Sequence, residues 1–386
     1  MDILGQIPIQ SILFFIFYGV TGVVSLIAAV YLLLRRGNAI APGVTPSVRL
    51  RRWTAAFFAV ASLAHVWWLL FYVFSRDLNS VGYVLLVMAD CVLLFVTFAG
   101  MLFAMLQDRR RPVWPALAGM MPFILLGGAY IAYPIELLQQ MSSIYLLLLG
   151  LVFTGYMVVA IRQYERWLND NYADLENKKV WLSLTVSLVC MLMFILYVLA
   201  TNMVFIWLIH IIELVIVGLL LWRVESLPNL ETHPQPLPVS EGSEYSQGCN
   251  STDELSSPIP YREGQRGGSS FDLAHIEQLL KELCVAQQLY LKHDLSLEQL
   301  AHEIGTNRTY LSQFFSRQSI TYNTYINNLR VNHFISLYEK AVADGQSIVV
   351  QDLASESGYR SYSTFSRAFT QRTGQTVTSW MQGKGE

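Results

Sequence analysis

Seven runs of apolar positions, each near twenty residues long, occupy the first 222 residues of the chain. They lie near 11–34, 54–74, 81–106, 112–134, 140–161, 180–199 and 203–222. A helix needs about 20 residues to cross roughly 30 Å of hydrocarbon, so the pattern predicts a seven-span helix bundle. The fourth run is interrupted, with Pro112, Pro115, Pro122 and Pro134 in or beside it. Such prolines are tolerated in a span when neighbouring groups satisfy the freed carbonyls. No basic stretch precedes the first run, which ends in Leu34-Arg35-Arg36 and therefore reads as a retained anchor. Beyond residue 223 the pattern changes twice. Residues 224–270 show no apolar period, and from 271 onward the period is helical, with no proline after Pro260.

Composition agrees with that division. Hydrophobic residues make up 53% of the 386 positions and charged ones 14%, against about 25% charged in an ordinary soluble domain. The net charge of -2 hides an asymmetry: residues 1–223 carry 14 basic and 10 acidic side chains, and 224–386 carry 12 and 18. With the N-terminus outside, the inner loops hold Arg35, Arg36, Arg49, Arg51, Arg52, Arg109, Arg110, Arg111, Arg162, Arg166, Lys178 and Lys179, while the outer ones hold Arg76 alone. This positive-inside bias places everything after Arg223 in the cytoplasm. The expected location is the cell (inner) membrane, multi-pass. Cys91, Cys190, Cys249 and Cys284 form no Cys-x-x-Cys pair, so neither a disulfide framework nor a zinc knuckle follows.

Four ionisable groups fall inside the predicted spans: His65, Asp90, His210 and Glu213. Each lies roughly 11–17 Å from one end of its span. Intramembrane charge is expensive, and its default reading is a functional site with a partner. Interhelical hydrogen bonding, a sensing pocket for a polar ligand, metal or proton, and an ion path all remain open. His-x-x-Glu by itself does not define a metal centre, which needs three or four ligands, and no metal or cofactor is assigned. In the inner loop 162–179, Tyr164, Trp167, Leu168, Tyr172 and Leu175 recur at helical spacing. They predict a short interfacial helix against the headgroups, with docking of the cytoplasmic domain as the other reading.

Residues 224–270 contain six prolines and seven acids against two arginines, which predicts a disordered tether. As a flexible coil it spans about 40 Å r.m.s.. The helical part, 271–386, opens with a stripe at Phe271, Leu273, Ile276, Leu279, Leu280 and Leu283. After it one motif occurs twice. Leu297, Leu300 and Ala301 precede Gly305, followed by a helix over 307–318 with Leu311 and Phe315 inward. Leu353 and Ala354 precede Gly358, followed by a helix over 361–372 with Phe365 and Phe369 inward. A small Ala permits close helix crossing and Gly makes the turn, the logic of a helix-turn-helix. Segments 305–330 and 357–385 hold seven basic residues (Arg308, Arg317, Arg330, Arg360, Arg367, Arg372 and Lys384) and no acid. Basic faces among exposed amides and hydroxyls suit phosphate anchoring with base-edge reading.

Residues 271–382 resemble the DNA-binding domain of the AraC/XylS-type transcriptional regulators. The likeness is carried by Leu297 to Gly305, Leu311 to Phe315, Leu329-Arg330, the run Gly358-Tyr359-Arg360-Ser361-Tyr362-Ser363-Thr364-Phe365-Ser366-Arg367-Ala368-Phe369, and Gly374. It implies a seven-helix domain that places two recognition helices in successive major-groove faces. By that resemblance Arg308, Thr309, Ser312 and Gln313 would face DNA in the first copy, with Arg317 beside them. Tyr362, Ser363, Thr364 and Arg367 would do so in the second, with Arg360 beside them. Val377 stands where the family usually has Pro, Phe334 where a small residue is common, and 341–347 is longer than usual.

The expected architecture is therefore all-α: a transmembrane bundle over 1–223, a linker over 224–270 and a double helix-turn-helix domain over 271–386. The expected function is a membrane-tethered one-component regulator that binds double-stranded DNA under a cue sensed by the bundle. Its expected partners are DNA, the lipid bilayer, an unidentified signal and, as a candidate, a second copy. No Walker loop, nucleophile elbow or receiver signature is present, so no enzyme is expected. Two rivals remain: a transporter or channel with a regulatory DNA-binding tail, and a plain anchor for the DNA-binding domain.

Overall fold

The computed structural model describes residues 9–74, 80–175, 203–230 and 273–384, with scattered positions between 178 and 189. All regular elements among the described residues are helices. The chain divides into two units, one drawn from Met1–Leu168 and Leu175–Glu231, the other from Asn169–Asp174 and Thr232–Glu386.

In the N-terminal unit the helices are α1 (Ile9–Leu34), α2 (Val48–Phe74), α3 (Val81–Met105), α4 (Trp114–Gly119), α5 (Met121–Ala132), α6 (Glu136–Asn171) and α7 (Met203–Ser226). Six stretches are long and apolar enough to cross a membrane: Leu13–Leu34, Val48–Phe74, Val81–Met105, Trp114–Ala132, Glu136–Asn171 and Trp207–Ser226. Most of the run expected near 180–199 lies outside the described residues, as does the tether from 231 to 270. Large apolar side chains such as Ile16, Ile27, Val73, Leu148 and Val152 are exposed on these helices, a surface suited to lipid rather than water.

The expected fourth span is two helices. Pro115 and Pro122 sit in the first turns of α4 and α5, where a missing N–H leaves no intrahelical bond unmade. The fifth span differs more. At 36 residues α6 is about 54 Å long and absorbs most of the stretch expected as a separate interfacial helix. Tyr164 and Leu168 are fully buried rather than turned to headgroups, and Tyr164 Oη donates to the Lys178 carbonyl. Polar groups gather at one end of the unit. Arg35 pairs with Glu225 at 2.9 Å, Arg111 grips Asp108 at 2.6 and 3.0 Å, and Arg49 donates to the Arg111 carbonyl. Arg109 reaches Gln163, and Gln107 donates to the Pro228 carbonyl. Arginines counted in the charge bias between loops thus hold helix ends together.

The C-terminal unit contains α8 (Leu273–Leu279), which widens into a π turn over Leu280–Val285, then α9 (Leu297–Glu303), α10 (Arg308–Arg317), α11 (Tyr322–Ala343), α12 (Val350–Glu356), α13 (Tyr362–Thr373) and α14 (Val377–Gln382). Ser296 and Gln299 form a capping box on α9. Asn307, Thr321, Ser361 and Thr376 cap α10, α11, α13 and α14, each satisfying an otherwise orphaned N–H. Leu297, Leu300, Ala301, Leu311, Phe315, Tyr322 and Ile326 build one core. Val331, Phe334, Ala354, Phe365, Phe369 and Val377 build a second. Helix α11 runs through both.

Segment 169–174 belongs to this unit. Ala173 is buried in the first core and its N–H donates to the Leu295 carbonyl. Asn323 and Asn327 donate to carbonyls of Tyr172 and Ala173, and Tyr172 forms a bridge with Ser296. Phe334, unusual by family resemblance, is a core residue whose ring lies 4.4 Å from that of Phe365. Val377, also unusual, is buried at the start of α14.

Candidate functional sites

Helices α10 and α13 are built alike. Each follows a turn through a glycine of positive φ, 74° at Gly305 and 87° at Gly358, a conformation that side chains with a Cβ rarely adopt. Each buries one stripe, Leu311, Phe314 and Phe315 in α10 and Phe365, Ala368 and Phe369 in α13. The opposite face of α10 exposes Arg308, Thr309, Ser312, Gln313 and Arg317. The same face of α13 exposes Tyr362, Ser363 and Arg367, with Thr364 half-buried against the Ser361 cap and Arg360 exposed just before the helix. All ten residues expected to face DNA thus lie on or beside these two helices. Tyr310, exposed in the first turn of α10, belongs to the same face. Its place between Thr309 and the inward Leu311 made it legible, but an aromatic beside a core position reads first as packing.

Arg308 and Arg360 have intramolecular partners. The Arg308 guanidinium donates twice to Asn171 Oδ1, at 3.1 and 2.7 Å. Arg360 meets Asp294 at 3.2 Å with both side chains largely in solvent, a pair of little stabilising value.

Arg330 departs from the expectation. Counted from sequence among the surface bases, it is 1% exposed. Its guanidinium donates to the Tyr290 and Lys292 carbonyls, both at 2.7 Å, and lies over the Tyr359 ring. Burial pulls its pKa below the ordinary value, opposed by Tyr359, Tyr322, Asp174 and Asp294. Arg330 therefore ties α11 to the chain segment after the π turn. Cys284 is fully buried nearby, and burial pushes its thiol up to about 12, which leaves it unreactive.

In the N-terminal unit three of the four ionisable groups expected inside spans come together. His65 of α2 and His210 and Glu213 of α7 place one ligand-type atom each within 4.8 Å of the others. Asp90 of α3 stands apart, accepting from Trp68 Nε1 at 3.1 Å. Tyr18 of α1 completes the group. Its ring packs on both imidazoles, and its hydroxyl donates to the His65 carbonyl. Sequence reasoning passed over Tyr18 because a tyrosine in a span carries no charge to mark it.

Two helix–glycine–helix pairs, each with a capped second helix that is polar and basic on its exposed side, have the layout of a helix-turn-helix protein. The family described as "Helix-turn-helix domain" (HTH_18) matches residues 300–383. The chain is also similar to the HTH-type transcriptional activators RhaR of Escherichia coli (strain K12) and of Shigella flexneri serotype 5b (strain 8401). Each is 29% identical over 105 residues, 27% of this chain and 36% of the relative. The chain thus covers little over a third of these curated relatives' length. No solved structure matches. The C-terminal domain thus resembles the AraC/XylS-type helix-turn-helix regulators.

Proposed function

We propose that the chain is a membrane-tethered, one-component transcriptional regulator. The observation that carries this reading is the joining, in one chain, of an AraC-type domain with six helices apolar and long enough to span a bilayer. Both α10 and α13 are readers in this proposal. Arg308, Thr309, Ser312, Gln313 and Arg317 meet one half of the site, and Arg360, Tyr362, Ser363, Thr364 and Arg367 meet the other. Phosphate contacts position the domain and side chains on base edges select the sequence. Helix α11, with 22 residues, is about 33 Å long, close to the roughly 34 Å of one DNA turn that separates successive major-groove faces.

Parity supports a seventh crossing. Arg35 at the end of α1 meets Glu225 at the end of α7, and Arg109 after α3 meets Gln163 near the end of α6. In this reading α1, α3, α6 and α7 all finish at the inner end, as an odd number of crossings requires. Seven crossings from an outside N-terminus leave the AraC-type domain in the cytoplasm, where DNA is. In this reading the bundle receives the signal and the domain, singly or as a dimer, acts on promoters.

Genome-wide DNA crosslinking of the full-length protein from a membrane fraction, beside the Arg308→Ala/Arg367→Ala double variant, tests the proposal. Discrete sites that vanish in the variant are expected. Recovery of no site-specific DNA, or of the protein only from the soluble fraction, overturns it.

A further inference from the structure

From the intramembrane cluster we infer that His65, His210 and Glu213 form a binding site for a divalent transition-metal ion of the zinc type. The ligands come from two packed helices. His210 and Glu213 stand i,i+3 on α7 and so share a face, and His65 faces them from α2. His65 Nε2 lies 3.5 Å from Glu213 Oε2. A tetrahedral ion with arms of about 2.0–2.1 Å sets its ligand atoms roughly 3.3 Å apart, so this edge already has the required length. The other edges, at 4.8 Å or less, close by side-chain rotation.

The second coordination layer is also in place. His65 Nδ1 lies 2.8 Å from the Ala61 carbonyl, an atom that only accepts, so Nδ1 carries the proton. The lone pair is then on Nε2, which points into the cluster. Metal-bound histidines are held in this way, with the far ring nitrogen donating to a carbonyl. Nε2 of His65 is buried without a hydrogen-bond partner, while the Glu213 carboxylate has the Ser25 hydroxyl beside it. Orphaned polar atoms of this kind are rare and call for a ligand or ion. An imidazolium–carboxylate pair alone would use Nε2–H to bond Glu213, yet no hydrogen bond forms between them.

Packing encloses the group. The side chains of His65 and Glu213 are 11% and 18% exposed. A Cβ on Gly22 of α1 would come within 3.0 Å of the His65 side chain, so glycine lets α1 lie against the imidazole. Imidazole nitrogens with one carboxylate suit zinc-like ions over magnesium or calcium, which prefer oxygen sets. Three protein ligands leave a fourth position for water or a small ligand.

The test uses the full-length protein in nanodiscs, stripped of metal by chelation and titrated with Zn²⁺ or Co²⁺ alone. One equivalent is expected to bind. Co²⁺ should give the intense visible bands of a four-coordinate nitrogen/oxygen site, and Zn²⁺ should abolish them. His65→Gln, His210→Gln and Glu213→Gln are each expected to weaken affinity by at least ~10-fold, and Asp90→Asn to retain the stoichiometry. No saturable binding, equal binding by the triple variant, or weak six-coordinate Co²⁺ bands would overturn the site. Should a variant fail to fold, the wild-type Co²⁺ spectrum and its Zn²⁺ competition decide alone. DNA binding is read separately, so loss of the metal site leaves the regulator proposal standing.

Discussion

The two helix–glycine–helix pairs of the C-terminal domain carry the same Ala-x-x-x-Gly spacing and opposite degrees of freedom. Around Gly305 an added Cβ would meet open space. At Gly358 it would come within 2.9 Å of the Leu291 backbone and 3.1 Å of Arg330 Nε. The first glycine is thus required by its φ alone, the second by φ and by close approach to the segment that Arg330 secures. One motif repeated in sequence has been seated in two different environments. The second pair is locked to the domain's interior through Gly358, Tyr359 and Arg330. The first pair instead has segment 169–174 against it.

The largest effect is expected where the lock itself is broken. Arg330→Ala removes a buried guanidinium and leaves the Tyr290 and Lys292 carbonyls without their donor. Each buried unsatisfied group costs about 1–3 kcal/mol, so a loss of roughly 3–5 kcal/mol is expected for the C-terminal unit. Denaturant melting of the full-length protein, followed by a probe in that unit, measures it; a loss below about 1 kcal/mol would mean that the two carbonyls find other donors.

The glycines give the next comparison. Gly305→Ala should cost about 1–2 kcal/mol, the price of a left-handed backbone with a Cβ. Gly358→Ala should cost about 3 kcal/mol, since strain of order 1–3 kcal/mol is joined by overlap with the Leu291 backbone. Gly305→Asn should be milder than Gly305→Ala, because Asn tolerates this region, while Gly358→Asn should not be. Equal losses at both positions, again by denaturant melting, would erase the proposed difference between the pairs.

Much of this was legible beforehand, and the exceptions share a cause. Periodicity reveals which residues face inward along a helix, so Leu311, Phe315, Phe365 and Phe369 were all placed correctly. The ten candidate DNA-facing residues came from the resemblance to the AraC/XylS-type regulators, and they lie on or beside the helices that carry those stripes. Arg330 was misassigned because a charge pattern reports residue type and not the carbonyls that a distant segment brings to it. The interfacial helix was misjudged for a related reason. Hydrophobicity falls at residue 162, but a helix ends only where its backbone does, and no breaker interrupts α6 before Asn171. The gathering of His65, His210 and Glu213 depends on which span packs against which, and sequence spacing holds no record of that between helices 145 residues apart.

On DNA the comparison narrows to single side chains. Arg367→Ala, in the pair locked to the interior, should weaken specific binding by about 1–3 kcal/mol if it reads a base. Unchanged affinity and preference in a gel-shift series would remove it from the interface. The smallest effect should come from the other pair. Arg308 spends two donors on Asn171, and that contact has to be exchanged for one with DNA. Asn171→Ala releases the guanidinium without altering it, so full-length protein should bind its site a few-fold more tightly, or about 0.5–1 kcal/mol, the net worth of such hydrogen bonds. The gain should disappear in the Arg308→Ala background, because the two changes act on one contact. A gain that persists there would assign the effect to the rest of segment 169–174, where Ala173 fills the first core, and not to the Arg308–Asn171 contact.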